Sequence, residues 1–288
     1  MAAFWILQGL NTLQYAALLF LISAGLSVSF GLMGFVNLAH GALYMLGAYI
    51  GIWVAGQHGF WTGMIAAPLA VGAIGGALYL ALLHRVARLG PMPQVLVSFG
   101  LVFILTEITR ILWGDNPLGL EPPALLAGRI PLPGAAYPHY RLFVIALGFG
   151  LALVLWFCVN RTALGASLRA SVENREMARA IGIDTDRLLL LAFTLGSALA
   201  GLGGVIAAPI TAANTGMAIS ILVPALIVTV IGGTGSISGA IVGALIVAAV
   251  EVLGAAFLPR AGGVLIYAML IAALIWRPEG LFQARAVR

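Results

Sequence analysis

Nine stretches of the chain, at about 10–33, 36–55, 61–83, 94–113, 142–160, 188–208, 219–232, 237–258 and 262–276, consist almost wholly of apolar and small residues. Crossing the hydrocarbon core of a bilayer takes about 20 such residues in a helix, and strands at that depth would have to close into a barrel. The runs therefore predict an all-α fold, a polytopic transmembrane helix bundle of eight or nine membrane elements. Two runs are ambiguous. The 36–55 run carries Asn37 and His40 near its start, and the 219–232 run is short for a straight crossing. Each either spans or is re-entrant or broken. The spans leave little of the 288 residues for anything else, so residues 1–288 form one domain.

Charge is scarce, at 8 % of residues, and its placement carries orientation. Arg85 and Arg88 fall in one loop, Arg161, Arg169, Arg175, Arg179 and Arg187 in another, and Arg277, Arg285 and Arg288 in the tail. The positive-inside rule makes these segments cytoplasmic. Two runs separate the first loop from the second and four separate the second from the tail, so all three fall on one face. The N-terminus is then outside if 36–55 spans, the preferred reading, and inside if it is re-entrant. The opposite loop, 114–140, holds Pro117, Pro122, Pro123, Pro131, Pro133 and Pro138 and is expected to be an ordered external loop. No Lys or Arg precedes the first run, which is expected to be a retained span and not a cleaved signal peptide.

The same inventory excludes whole classes of function. An arginine excess in so apolar a chain reads as orientation, with no call for nucleic acid as a partner. The single Cys158, inside an apolar run, is expected to be packing, and the four scattered histidines offer no metal-ligand spacing. The chain contains no Lys. It therefore lacks the residue with which a P-loop contacts phosphate. The GSISG stretch at 235–239 has Ile237 where a nucleophile elbow needs Ser. No catalytic residue, metal or cofactor is expected.

Against this background Glu173-Asn-Arg-Glu-Met-Ala-Arg-Ala-Ile-Gly182 is an island of charge. A helix over 171–181 would set Glu173 and Glu176 in its early turns, toward the positive end of the dipole, and Arg179 near its end. Met177 and Ile181 would lie one turn apart beside Ala178, and Gly182 would stop the helix in the left-handed conformation. A short amphipathic rod results, with two readings open: a solvated helix on the bilayer surface, or a docking element.

Glu176-Met-Ala178, three residues, then Gly182 resembles the coupling loop of bacterial ABC importer permeases, a Glu-Ala-Ala followed three residues later by Gly; only the middle Ala is replaced, by Met177. In that family the loop is a short helix seated in a groove of a separate cytoplasmic ATPase. VNLAHGALYMLGAY at 36–49, VIGGTGSISGAIVGAL at 230–245 and RASVENREMARAIGIDTDR at 169–187 are similar to segments of branched-chain amino acid permeases, and the chain resembles the H-type subunits of high-affinity leucine, isoleucine and valine importers. The resemblance implies a bacterial inner-membrane permease, with ATPase coupling through Glu173, Glu176, Met177, Ala178, Arg179, Ile181 and Gly182 in a cytoplasmic loop, 161–187. It also implies a second homologous permease subunit, two cytoplasmic ATPase subunits and a periplasmic substrate-binding protein, besides membrane lipid. Related members import amides, urea or other small amino acids.

Polar groups inside the runs either line the path or satisfy one another. Asn37 and His40, three residues apart, face inward; they line a translocation path or hydrogen-bond a neighbouring helix. Gly232, Gly233, Gly235 and Gly239 either let backbones approach or open a helix toward a passing carboxylate. Glu107 and Arg110 are spaced to pair, and Glu251 has Arg260 as a candidate partner. A faint similarity between GLMGFVN at 31–37 and GTGSIS at 233–238 hints at an internal repeat. The competing function is a stand-alone proton-coupled secondary transporter of a small polar solute, titrating Glu107 or Glu251. The charged island and the shortage of unpaired acids favour the ATP-driven permease.

Overall fold

The computed structural model describes residues 2–33, 37–86, 89–132, 135–260, 262–277 and 280–282. Its helices are α1 Ala2–Met33, α2 Ala39–His58, α3 Phe60–Leu78, continued through a π turn at Tyr79–Leu83 into α4 His84–Val86, then α5 Pro91–Trp113 and α6 His139–Arg161. Two short helices follow, α7 Ala163–Glu173 and α8 Arg175–Ala180, and then α9 Thr185–Thr211, α10 Met217–Gly232, α11 Ile237–Phe257 and α12 Gly262–Trp276. Among the described residues seven helices are long and apolar enough to cross a membrane, and Met217–Gly232 and Gly263–Trp276 are shorter apolar helices. The all-α polytopic bundle expected from the runs is what forms.

At the centre, α9 packs along α2 and α3, while α1 packs against α9, α11, α6 and α10. Lipid tails are as apolar as Leu, so helices gain by approaching closely where side chains are small. A Cβ on Gly25 of α1 would lie 2.6 Å from Gly196 Cα of α9, and Gly47 of α2 stands equally tight against Gly201 of α9. Gly232 and Gly239 close the α10–α11 corner in the same way, so these two glycines serve backbone contact.

The contacts define two ends of the bundle. At one, the N-terminal part of α1 meets the start of α6, where Arg141 Nη1 donates to Asn11 Oδ1 at 3.0 Å, and Leu118 bridges to Ala213 beyond α9. At the other lie α7 and α8, the end of α1, the α10–α11 corner and His84; Gly235 N–H donates to Ser27 O there at 3.0 Å. The α2 helix runs from one end toward the other. Ala39 clusters with Tyr79, Leu83 and Phe193, whereas the Tyr49 ring lies 5.7 Å from that of Trp113. Arg85 and the arginines of 161–187 share the α8 end, as does the start of the tail, where Leu281 N–H donates to Ile231 O. Arg88, Arg285 and Arg288 lie outside the described residues.

Several local expectations are corrected. The helix expected over 171–181 breaks at Asn174, whose backbone is extended (φ −152°, ψ 102°) because its side chain caps α8. Glu173 thus ends α7 instead of starting a helix. The 114–140 loop is ordered by an antiparallel strand pair, Arg129–Leu132 with Ala135–Pro138, as well as by its prolines. Cys158, expected to be packing, is exposed on α6. Of the repeat-like stretches, Gly31 and Gly235 do meet, backbone to backbone, while residues 34–36 lie outside the described residues.

Candidate functional site

Two places in the fold bring unusual chemistry together, one at each end. At the first, Thr162 caps α7 by accepting from Gly165 N–H at 3.2 Å, and Asn174 Oδ1 accepts from Met177 N–H at 2.9 Å to start α8. The six residues of α8 end in a Schellman motif: Ile183 N–H bonds Ala178 O and Gly182 N–H bonds Arg179 O, both at 3.0 Å. Gly182 at φ +89° supplies the left-handed residue this closure requires.

Ion pairs fix α8 onto the next helix. Arg175 and Arg179, one turn apart, both reach Asp186 in the first turn of α9 at 2.9 Å, and Arg179 Nε donates to Thr185 Oγ1 at 2.7 Å. Asp184 caps α9 through Arg187 N–H and pairs with the Arg187 side chain at 2.9 Å. Glu173 and Glu176 form no ion pair among the described residues. Ala178 is buried at 1 % exposure, and the side of α8 seen from outside presents Met177, 61 % exposed, Ile181, 69 % exposed, and Glu176, with Arg179 and Ala180 also exposed. Of the seven residues expected in the coupling element, Ala178 therefore holds the rod down and Arg179 anchors it, while Glu176, Met177 and Ile181 remain outward. The partner Asp186 and the cap Asn174 were missed. Both carried a signal, since Asn is a favoured N-cap and an Asp within reach of two arginines in a short loop invites pairing.

The second place is a cavity of about 710 Å³ at the opposite end. Successive turns of α1 contribute Gln8, Asn11, Tyr15 and Leu18, and the wall is completed by Tyr44, Arg141, Asn214, Ser220 and Glu251. The α10 helix, at 16 residues, rises about 24 Å. Its first turns, at Met217, Ser220 and Ile221, form part of the wall. Tyr15 lies beside the Glu251 carboxylate, whose Oε2 is shut off from solvent and has no hydrogen-bond partner. Arg260, the candidate partner of Glu251, forms no ion pair with it. Glu107 and Arg110 do pair, at 2.6 Å on the exposed face of α5.

The polar groups singled out in the sequence as candidates for a path lie elsewhere. Asn37 and His40 are buried at 1 % and 2 % exposure. His40 Nε2 bonds Ile22 O of the neighbouring α1 at 3.1 Å, while Asn37 Oδ1 accepts from Ala39 N–H at 3.2 Å and its Nδ2 is buried without a partner. Gly233 caps α10 at φ +96°, Gly232 packs on Gly239, and Gly235 turns the chain at φ +80° against Ser27 and Gly31. Gly235 also borders a cleft shared with Glu173 and Arg169 at the α8 end.

The family model described as "Branched-chain amino acid transport system / permease component" matches residues 9–274. The chain is 26 % identical to the "High-affinity branched-chain amino acid transport system permease protein LivH" of Salmonella typhimurium, over 96 % of this chain and 95 % of that one. It is likewise 26 % identical to BraD of Pseudomonas aeruginosa, of the same description, over 95 % and 94 %. To the LivM permease of Escherichia coli it is 27 % identical over 91 % of this chain and 67 % of that one. A solved chain, "PsaBC from Streptococcus pneumoniae in complex with Fab", superposes with a TM-score of 0.46 at 13 % identity over 92 % of this chain and 89 % of that one, too loosely to carry any inference.

Proposed function

Because the chain belongs to the branched-chain amino acid transport system permease family, a multi-pass membrane protein by its apolar helices, we propose that it is the translocating subunit of an ATP-driven importer of branched-chain amino acids or related small amino acids and amides. The observation that carries the coupling half of this reading is α8. It is a capped, six-residue helix fixed to α9 by ion pairs, with Met177 and Ile181 turned outward and left exposed among the described residues. Two such side chains bury too little area to hold the rod in a bilayer against its charges, and suit a protein groove.

In this reading the α8 end faces the cytoplasm and receives an ATPase subunit, and the 114–140 end faces the periplasm and a substrate-binding protein. The arginine-bearing segments at the α8 end support that orientation through the positive-inside rule. A second homologous permease and two ATPases complete the transporter in the inner membrane. Closure of the ATPases would move α8, and through Asp186 the start of α9, the helix on which α2 and α3 pack. The coupling element is thus joined by charge-assisted bonds to the central helix.

A stand-alone carrier remains the rival reading, and Glu251 at the cavity wall is the observation in its favour. Uptake of labelled leucine into right-side-out vesicles, containing this chain co-expressed with a second permease and ATPase subunits, with the binding protein added outside and ATP enclosed, separates the two. The permease reading expects uptake that depends on ATP and on the binding protein. Uptake driven by an imposed proton gradient without ATP, and lost in Glu251→Gln, would establish the carrier instead.

A further inference from the structure

Beyond α12 the chain turns back on itself. Gly280, at φ +83°, stands so close to Gly233 that an added Cβ would lie 2.6 Å from the Gly233 Cα. Leu281 N–H then donates to Ile231 O at 2.8 Å and Phe282 N–H to Gly232 O at 3.2 Å, which fastens this strap to the last turn of α10. Between the strap, α10, α11 and α12 the fold leaves a groove of about 250 Å³. Met269, Ala273 and Trp276 line it along one face of α12, together with Ile231 of α10 and Ile246 of α11. Among the lining residues Arg277 carries the one charge; it is exposed and forms no ion pair among the described residues. Glu279, the nearest acid in sequence, lies outside the described residues.

The depth of the groove matches a lipid tail. Met269 lies seven residues before Trp276, about 10 Å along the helix axis, and Ile246 lies nine residues inside α11, about 14 Å from its start. The hydrocarbon of one leaflet is about 15 Å deep. Water does not fill an apolar crevice, and at this depth the molecules at hand are acyl chains. Basic groups at the mouth of a crevice between spanning helices suit anionic headgroups, and an interfacial Trp sits at headgroup level. We propose that the groove holds one acyl chain of an anionic phospholipid, with the lipid phosphate on Arg277. The site goes beyond the permease reading and takes from it only the leaflet, which is the cytoplasmic one because the strap lies at the α8 end.

The test uses the full chain, purified in detergent and stripped of lipid, with phosphatidylglycerol and phosphatidylcholine of identical tails as probes. Bound lipid is counted by native mass spectrometry, and thermal unfolding is followed beside it. The wild-type chain should retain one phosphatidylglycerol about fivefold better than phosphatidylcholine, the weight of one basic residue at a membrane surface, and its Tm should rise with that lipid. Arg277→Gln should lose the preference while still binding neutral lipid, and Arg277→Lys should keep it. Ala272→Trp fills the groove from an exposed position on its wall and should lose both lipids with Arg277 in place. Unfolding of each variant at the wild-type Tm without lipid shows that the fold is intact, and the wild-type preference and the Ala272→Trp loss decide the matter even where Arg277→Gln fails to fold. No preference in the wild type, or a preference that survives in both Arg277→Gln and Ala272→Trp, would overturn the proposal. Displacement of the lipid by millimolar inorganic phosphate would give the site to a free anion, and a pair of chains that Ala272→Trp separates would give the face to a second copy; either overturns it. None of these readouts involves transport, so the lipid site and the permease reading fail independently.

Discussion

The two ends of this bundle handle charge in opposite ways. Around α8 three basic side chains are paired within the fold, Arg175 and Arg179 on Asp186 and Arg187 on Asp184, and the surface offers apolar Met177 and Ile181 beside the acidic Glu176. At the cavity the apolar side chains are part of a wall, and Glu251 and Arg141 are left without ionic partners. An end whose clamping arginines are paired within the fold and whose apolar groups are uncovered suits a protein partner. An end with unpaired charges inside a hollow suits a small polar solute. The difference lies in which groups the fold leaves unsatisfied and not in how many polar residues each end has.

The comparison breaks most readily at Gly182. Pro there cannot reach φ +89° and also disfavours the helical conformation of Ile181, so the Schellman closure and the outward pose of α8 are lost together. Uptake should disappear in Gly182→Pro while membrane levels, measured by immunoblot, stay normal. Gly114 sits at φ +84° at the other end in open space. Gly114→Ala adds backbone strain of about 1–3 kcal/mol and leaves α8 untouched, so uptake should fall far less than in Gly182→Pro. Equal loss in both variants would mean that the left-handed glycines matter for folding alone.

Next in size is the clamp between α8 and α9. Asp186→Ala frees two arginines at once, and since hydrogen bonds to charged groups are worth about 1.5–3 kcal/mol before solvent screening is discounted, substrate-stimulated ATP hydrolysis should drop about tenfold. Basal hydrolysis by the ATPases should not change. Asn174→Ala removes the cap of α8 at a cost of about 1 kcal/mol and should lower coupling severalfold, with Asn174→Ser close to wild type. The smallest effect is expected at Glu107 and Arg110, an exposed pair on the face of α5; uptake by Glu107→Gln should match wild type within error.

The spans were legible because lipid imposes one rule on every residue facing it, and the apolar runs begin and end within a few residues of most helices. The start of α1 was an exception. The first run was read from about residue 10, yet the helix begins at Ala2 and carries Gln8, Asn11 and Gln14, because a cavity tolerates polar side chains where lipid would not. Their spacing at three and four residues, continued by Tyr15 and Leu18, was the available sign of a polar helix face. Gly182 and the outward pose of Met177 and Ile181 could be read from local pattern, since a helix end is a local matter. The burial of Ala178, the clamp on Asp186 and the meeting of Glu251 with Tyr15 could not. Each depends on where another helix passes, and α1 and α11 are brought together by contacts more than 200 residues apart, such as that of Gly235 with Ser27.

The central claim is that the outward face of α8 is covered by an ATPase. A photo-reactive residue placed at position 181 tests this directly, with one at position 125 as the contrast, since Leu125 is also exposed but lies in the 114–140 loop. After irradiation of membranes containing the full transporter, position 181 should give a cross-linked band with the ATPase subunit that diminishes in Gly182→Pro, and position 125 should give none. Cross-linking to lipid alone at position 181, with the ATPase present and active, would contradict the account.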